Sequence, residues 1–328
     1  MAFQILSLSG GGFMGLYTAA VLASLEEQQD CRIADCFDLI AGTSVGGIIA
    51  LGLAHRTPAS EIRDAFLSNG ASIFSTKPPP QNGLAKKAAL FKNATKPLYS
   101  AAPLARTIEA IVGSDTLVRH LNHRVMVPTV NLTKGSPQVF KTSHHPTFSR
   151  DLRLRVVDVA LATSAAPTFF PLHRIGGELY ADGGLYANAP DHLALHEAEH
   201  FLGQNLADIR MLSIGTTTSS FSFSNSVGTD LGWMGWMEDQ RLPNVMIAAN
   251  QVNADFMLRH RLGERYLRID HTQSREQEKS LALDVASDAA KLDLLALAEA
   301  SVREHLGRPA LSTFLKHTAP TPTFFNLG

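Results

Sequence analysis

The stretch IAGTSVGG (residues 40–47) decides how this chain is interpreted. It contains the pattern G-x-S-x-G, in which Ser44 stands between Gly42 and Gly46. This pattern is typical of a serine on a sharp turn between a buried strand and a helix, where the hydroxyl is presented as a nucleophile. A serine hydroxyl reacts poorly until a base accepts its proton, so the sequence should also supply a base for Ser44.

Composition and charge narrow the class of protein. Of the 328 residues, 45% are hydrophobic and 18% charged, so the chain can bury a sizeable core. A net charge of -1 gives no electrostatic reason to expect nucleic-acid binding. The two cysteines, Cys31 and Cys36, make no disulfide framework and favour a reducing compartment. No basic leader precedes the apolar residues 3–8, so we expect a cytoplasmic protein.

The order of predicted elements indicates an α/β fold. Apolar runs at residues 3–8 and 38–41 predict strands, each followed by a glycine-rich turn and a helical pattern. This rhythm is typical of a mainly parallel sheet covered by helices. The 18-residue apolar run 37–54 is long enough for a marginal membrane span, but Asp38 and several glycines favour a strand, a turn and a helix instead.

Further along the chain, helical patterns dominate residues 240–262 and 281–306. Two segments interrupt the regular pattern. Residues 77–97 are rich in lysine, and we favour a solvated excursion there over a lid or an anionic-surface contact. Residues 219–237 are irregular and carry both tryptophans; they could line an apolar pocket, pack in the core or rest at a membrane interface.

We interpret residues 1–308 as one domain and residues 309–328, which contain three prolines, as a C-terminal tail. No internal repeat and no clear linker divides the longer part. The sequence does not fix the oligomeric state, and a dimer is compatible with it.

A glycine-rich loop follows the first strand and admits two interpretations. Its residues Gly10, Gly11, Gly12 and Gly15 satisfy G-x-G-x-x-G, the pattern of a dinucleotide-binding turn. A dinucleotide site also needs an acidic residue at the end of the next strand, and that strand here runs into Ser44 instead. Because backbone N–H groups at the start of a helix can hold a developing oxyanion, we favour that use; a nucleotide-binding sensor stays as an alternative.

Residues 196–200 read HEAEH and match the zinc-protease pattern H-E-x-x-H. In such sites His196 and His200 would hold the metal and Glu197 would be the general base. The other interpretation is a polar face of a solvated helix. No later segment stands out as a third ligand, so a zinc hydrolase is an alternative that we do not favour, and we expect no metal.

The position of Ser44 argues against an α/β-hydrolase triad. In that fold several strands precede the nucleophile, whereas one strand and one helix precede Ser44 here. His192, His260 and His271 would be available as bases, but the topology does not suit them.

Three separated blocks resemble the patatin-like phospholipases. The loop from Gly10 to Gly15 is similar to their oxyanion block, and residues 42–46 are similar to their nucleophile turn. Asp182, Gly183 and Gly184 are similar to their D-G-[GA] block. The resemblance covers roughly residues 3–305 and implies a three-layer α/β/α fold with a mainly parallel central sheet.

The resemblance also implies a mechanism without histidine. Ser44 would be the nucleophile, Asp182 its general base and acid, and the N–H groups of Gly10, Gly11 and Gly12 the oxyanion hole. The activity would be lipid acyl hydrolysis of the phospholipase A type, with membrane phospholipid as substrate and no cofactor.

The compact chain and the start SLSGGG (residues 7–12) are similar to bacterial patatin-like effectors of antiphage defence. In those effectors a cyclic dinucleotide switches on membrane-lipid degradation. The resemblance therefore implies a cyclic dinucleotide activator and action at the inner membrane surface.

Overall fold

A computed structural model describes residues 2–77, 96–217, 223, 227–237, 241–274 and 276–326. Most of the Lys-rich segment 77–97 and part of segment 219–237 lie outside the described residues.

The described residues form one central sheet of eight strands. The strands are β1 (Phe3–Leu8), β2 (Leu39–Gly42), β3 (Val125–Asn131), β4 (Ser136–Lys141), β5 (His173–Ile175), β6 (Glu178–Asp182), β7 (Ile209–Ile214) and β8 (Tyr266–Ile269). Their order is β5-β6-β3-β2-β1-β7-β8, with β4 paired to β3. From β3 to β8 along this order all neighbours are parallel, whereas β4, β5 and β6 are joined by antiparallel pairing. The mainly parallel sheet predicted from the sequence is confirmed.

Helices cover both faces of the sheet. They are α1 (Gly15–Gln29), α2 (Val45–Ala54), α3 (Ala59–Ile73), α4 (Ala101–Val112), α5 (Val156–Thr163), α6 (Gly184–Ala187), α7 (Asp191–His196), α8 (Trp233–Met237), α9 (Arg241–Leu262), α10 (Gln277–Ser280), α11 (Asp288–Leu306) and α12 (Pro309–Leu315). A π-helix, Glu197–Phe201, continues α7. No helix within the described ranges is both long and apolar enough to span a membrane.

Two hydrophobic cores account for the three layers. Strand β1 alternates between them, because Phe3 and Ile5 pack in one core while Leu6 and Leu8 pack in the other. Helices α1 to α5 and α11 contribute to the larger core, and α7 and α9 contribute to the smaller one. The buried sheet between them places the ends of β1 and β2 beside each other, which positions the two glycine-rich turns as neighbours.

One helical prediction is corrected by the structure. The pattern over residues 281–306 becomes helix only from Asp288, where Ser287 caps the first turn by accepting a hydrogen bond from the Ala290 N–H at 3.1 Å. The preceding residues Val285 and Ala286 are buried in extended chain beside Ser75. Their apolar side chains look helical in the sequence, but a tertiary contact holds them extended.

The last residues pack against the domain. Leu311 and Phe314 of α12 are buried, and the Phe314 carbonyl accepts a hydrogen bond from Gln4 Nε2 at 3.0 Å. His317 Nε2 lies 2.9 Å from Asp38 Oδ2. The segment 309–326 therefore contacts the beginning of the chain, while the domain boundary at residue 308 stays a prediction.

Candidate active site

Ser44 occupies a strained turn between β2 and α2. Its φ of 54° and ψ of -125° lie outside the regions that L residues ordinarily adopt. The backbone of the turn is tightly packed, because a Cβ on Gly46 would lie 2.4 Å from the Leu8 carbonyl oxygen. The Ser44 N–H donates to Thr163 Oγ1 at 3.0 Å, and Thr163 Oγ1 in turn donates to the Pro128 carbonyl. These contacts hold the turn predicted from the sequence.

Asp182 lies at the end of β6, opposite Thr129 of β3. Ser44 Oγ donates to Asp182 Oδ2 at 2.7 Å, although 138 positions separate the two residues in the sequence. The Gly184 N–H donates to the other carboxylate oxygen at 2.6 Å. The carboxylate is thus fixed with one oxygen on the serine and the other on the backbone of the D-G-G turn, and this geometry suits proton transfer from Ser44.

The environment of Asp182 raises its basicity. Burial removes the carboxylate from water and raises its pKa to about 6, while the hydrogen bonds from Gly184 and Ser44 partly oppose that rise. At neutral pH the carboxylate is therefore still mainly ionised. It is a stronger base than an exposed aspartate, and it lies within hydrogen-bond reach of the proton that it would accept.

The glycine loop lies beside this pair, and the structure separates its members. The Gly10 N–H donates to the Asn188 carbonyl at 2.9 Å, and the Gly10 carbonyl accepts from Asn188 Nδ2 and Thr216 Oγ1. Gly10 is therefore no free donor, which corrects its expected place in the oxyanion hole. Its two-sided bonding instead anchors the loop.

Gly11 and Gly12 keep their N–H groups available, since neither donates a hydrogen bond to any residue that the structure describes. Gly12 has a φ of 56°, and a Cβ there would lie 2.1 Å from the Leu283 carbonyl oxygen. Only glycine fits this backbone without displacement. Gly15 begins α1, so Gly11 and Gly12 stand at the approach to a helix N-terminus, as an anion-binding loop requires.

A cavity of about 240 Å³ joins these groups. Ser44, Asp182, Gly11 and Gly12 form its polar end. The remaining wall is mostly apolar and includes Ile48, Phe66, Phe74, Leu104, Phe170, Met237, Leu242, Met246 and Ile247. A narrow apolar cavity that ends on a nucleophile, a base and two backbone donors suits an ester with a hydrocarbon chain.

The HEAEH segment has another use. Glu197 is buried and binds His144 Nε2 at 2.9 Å and Lys141 Nζ at 2.5 Å. His196 and His200 stack on each other with ring centroids 5.1 Å apart. Within the part of the chain that the structure describes, no cluster of three potential ligands could hold a metal ion. The geometry therefore gives the zinc alternative no support.

Sequence reasoning missed the residues that support the site. Thr163 accepts the Ser44 N–H, and Asn188 holds Gly10. Thr163 ends α5 and Asn188 directly follows α6, so the fold, and not a motif named in the sequence analysis, brings them to the site. The histidines at 192, 260 and 271 are not among the residues that line the cavity.

Comparisons with known proteins identify the family of the chain. The family model described as patatin-like phospholipase matches residues 6–195. A protein of Pseudomonas aeruginosa named cGAMP-activated phospholipase is 41% identical over 99% of this chain and 95% of its own. A protein of the same name from Vibrio cholerae is 38% identical over 95% of this chain and 94% of its own.

Two solved structures are more distant. The ExoU–SpcU complex of Pseudomonas aeruginosa is 15% identical, covering 97% of this chain and 52% of the matched chain, with a TM-score of 0.43. VipD from Legionella pneumophila is 13% identical, covering 92% and 67%, with a TM-score of 0.40. The family-model match and the near full-length relatives establish that the chain belongs to the patatin-like phospholipase family.

Proposed function

We propose that the chain hydrolyses membrane phospholipids as a serine hydrolase that uses Ser44 and Asp182. The observation that carries this proposal is the 2.7 Å hydrogen bond from Ser44 Oγ to Asp182 Oδ2 at the polar end of an apolar cavity. The relatives named cGAMP-activated phospholipase support the substrate class.

In the first step Ser44 Oγ attacks the ester carbonyl carbon while Asp182 accepts the hydroxyl proton. The N–H groups of Gly11 and Gly12 donate to the oxyanion as the carbonyl oxygen gains charge. Asp182 then gives its proton to the leaving alkoxide, the carbon–oxygen bond breaks, and the acyl group stays on Ser44. No histidine is needed, because the buried carboxylate has a pKa of about 6.

In the second step Asp182 accepts a proton from water, which attacks the acyl-serine carbonyl. The same two N–H groups hold the second oxyanion. When it collapses, Ser44 Oγ leaves and recovers a proton from Asp182, and the fatty acid is released. One pair of residues therefore serves both half-reactions, and in each of them Asp182 acts first as the base and then as the acid.

The relatives also suggest how the activity is regulated. Because the two similar bacterial proteins are named as cGAMP-activated, we include activation by a cyclic dinucleotide in the proposal. The biological role would be membrane-lipid degradation in antiviral defence, at the inner face of the membrane.

The test is fatty-acid release from mixed phospholipid vesicles, with and without cGAMP. We expect release by the parent protein and a loss of at least about 10³-fold in Ser44→Ala and Asp182→Asn. His192→Ala is the control and should retain the parent rate. Release that survives in Ser44→Ala would contradict the mechanism, and a rate indifferent to cGAMP would contradict the regulation.

A further inference from the structure

Most of the exposed large apolar side chains of the described residues lie in segments near the cavity. Ten such side chains are exposed among the described residues. Eight of the ten belong to segments that line the cavity or adjoin its lining, namely Leu98, Leu172, Phe223, Trp233, Leu242, Val252, Phe256 and Met257. Scattered single apolar residues are ordinary on a protein surface, but a concentration of this kind marks an interaction site.

Two of these residues adjoin one wall of the cavity. The Leu98 N–H donates to the carbonyl of Thr168, which lines the cavity. Leu172 follows the lining residue Phe170 by two positions. Their exposed side chains thus extend the apolar lining outward from this wall.

A second part of the cavity lining has the same property. Trp233 is 75% exposed and begins α8, whose last residue, Met237, lines the cavity. Leu242 near the start of α9 is exposed and is itself a lining residue. Phe223 packs edge-on against Trp236, with ring centroids 5.9 Å apart. Exposed apolar side chains therefore adjoin the cavity lining along α8 and at the start of α9.

Helix α9 carries this surface further along. Ala254 and Leu258 face the core and are buried, whereas Val252 and Phe256 are 65% and 59% exposed. A helix that only covers a sheet needs one apolar face, so the second one is unexplained by the fold. Arg259 and Arg261 of this helix are paired within the chain, with Asp255 and Glu199 respectively. Apolar insertion is therefore a better account of this surface than attraction to charge.

We propose that these eight side chains form a docking surface for a phospholipid bilayer, with Trp233 as its main anchor. This inference rests on the proposed function, because a bilayer seated here would present its lipids to the mouth of the cavity. A tryptophan suits the position, since its ring prefers the boundary between hydrocarbon and water. A lipid could then pass from the bilayer to Ser44 along apolar surface.

The chain provides its own probe, because Trp233 and Trp236 are its two tryptophans. In a Ser44→Ala, Trp236→Phe protein, Trp233 is the sole source of tryptophan fluorescence and no lipid is consumed. On titration with phosphatidylcholine vesicles, with and without cGAMP, we expect its emission to shift to shorter wavelength. We also expect quenching by lipids with brominated acyl chains, and little change when the salt concentration is raised.

Substitution tests the anchor directly by vesicle sedimentation in the Ser44→Ala background. Trp233→Ser should weaken partition onto vesicles about tenfold, because one large aromatic surface no longer leaves water. Leu292→Ser is the matched control, since Leu292 is 70% exposed on α11, outside the docking surface. It should leave partition unchanged, and neither substitution should alter the melting temperature.

Three results would overturn the proposal. The first is Trp233 emission that does not change on addition of vesicles, with or without cGAMP. The second is a loss of vesicle partition in Leu292→Ser equal to that in Trp233→Ser. A concentration-dependent dimer that buries Trp233 without any vesicle response would assign the surface to a second copy of the chain. Failure of the proposed function would be seen separately, in an assay that needs no bilayer. Protein with Ser44 intact would then not hydrolyse a monomeric short-chain ester.

Discussion

In the proposed mechanism, Thr163 is a side chain outside the reacting pair that positions the nucleophile. Its hydroxyl accepts from the Ser44 N–H at 3.0 Å and donates to the Pro128 carbonyl, so it ties a strained turn to β3. We expect Thr163→Val to lower kcat about tenfold with little change in KM, since the apolar cavity is untouched while Ser44 loses its support. Steady-state kinetics on a monomeric ester would measure both constants.

The conservative substitution Thr163→Ser is the control for this prediction. It keeps the hydroxyl and should retain most of the parent kcat. An equal loss of kcat in both variants would mean that the methyl group, and so packing, is what matters at residue 163. A change confined to KM would contradict the positioning role.

The raised pKa of Asp182 predicts the pH dependence of activity. In its proposed role as general base the carboxylate must be ionised, and burial raises its pKa to about 6. We expect kcat/KM to fall about tenfold per pH unit below pH 6 and to level off above it. The measurement is hydrolysis of a monomeric ester between pH 4.5 and 8. A fall in kcat/KM that begins only near pH 4 would contradict the buried base. If His192→Ala removed the pH dependence, the base would be histidine.

The same raised pKa of Asp182 predicts that the fold is less stable at the pH values at which the base is ionised. Burial raises the folded-state pKa from 3.8 to about 6, so proton binding stabilises the fold fully below pH 3.8. That contribution is lost as the pH rises through 6. The asparagine in Asp182→Asn does not titrate, so the unfolding free energy of this variant minus that of the parent should be larger at pH 8 than at pH 4, by up to about 3 kcal/mol. Urea unfolding at the two pH values tests this, and an equal difference at both would contradict it.

At the scale of elements, helix α7 and its π-helical continuation show why a short motif is weak evidence alone. Glu197 faces the interior, where it pairs with His144 and Lys141, and Lys141 Nζ also lies 4.4 Å from the centroid of the Phe201 ring. Burial lowers the pKa of His144, so this pairing is a structural network in the core. The sequence shows the spacing of HEAEH but not which face of the helix is buried.

This network predicts the effect of Glu197→Ala. The substitution leaves Lys141 and His144 without their buried partner and should lower the unfolding free energy by about 3 kcal/mol. His196→Ala is the control on the same helix, and since His196 is exposed it should change stability by less than about 0.5 kcal/mol. Chelator treatment should leave ester hydrolysis unchanged. Loss of activity in His196→Ala together with loss on chelation would revive the zinc alternative.

The elements themselves were largely predictable, because each has a local cause. The strand before Ser44 and the helix after it follow from apolar runs on either side of a glycine-rich turn, and the structure confirms both as β2 and α2. Residues 281–287 were predicted wrongly as helix, because Val285 pairs with Ser75, which lies far away in the sequence. Local pattern carries no information about such partners.

At the scale of the whole molecule, the site depends on sheet topology. Strand β3 pairs with β2 at Val125 and Met126 and with β6 at residues 129–131. Because β2 leads to Ser44 and β6 ends at Asp182, these two pairings bring the residues together. The sequence pointed to both residues through their glycine-rich motifs, and the 2.7 Å contact follows from the sheet register, which no motif encodes. The sequence also did not predict that the Gly10 N–H is bonded, because its partner Asn188 lies far away in the sequence.

The C-terminal segment predicts a further property of the whole chain. Phe314 stacks on Phe37 with ring centroids 6.3 Å apart, and both side chains are almost fully buried. Phe314→Ala would leave a cavity between α12 and the start of the domain, so we expect it to lower the unfolding free energy by about 3–4 kcal/mol. The site is remote from this contact, and the rate on a monomeric ester at low temperature should persist. Urea unfolding measures the loss, with the exposed Leu292→Ala as control. If Phe314→Ala unfolds like Leu292→Ala, the segment after residue 308 adds nothing to the stability of the domain, and the predicted boundary there marks an independent tail.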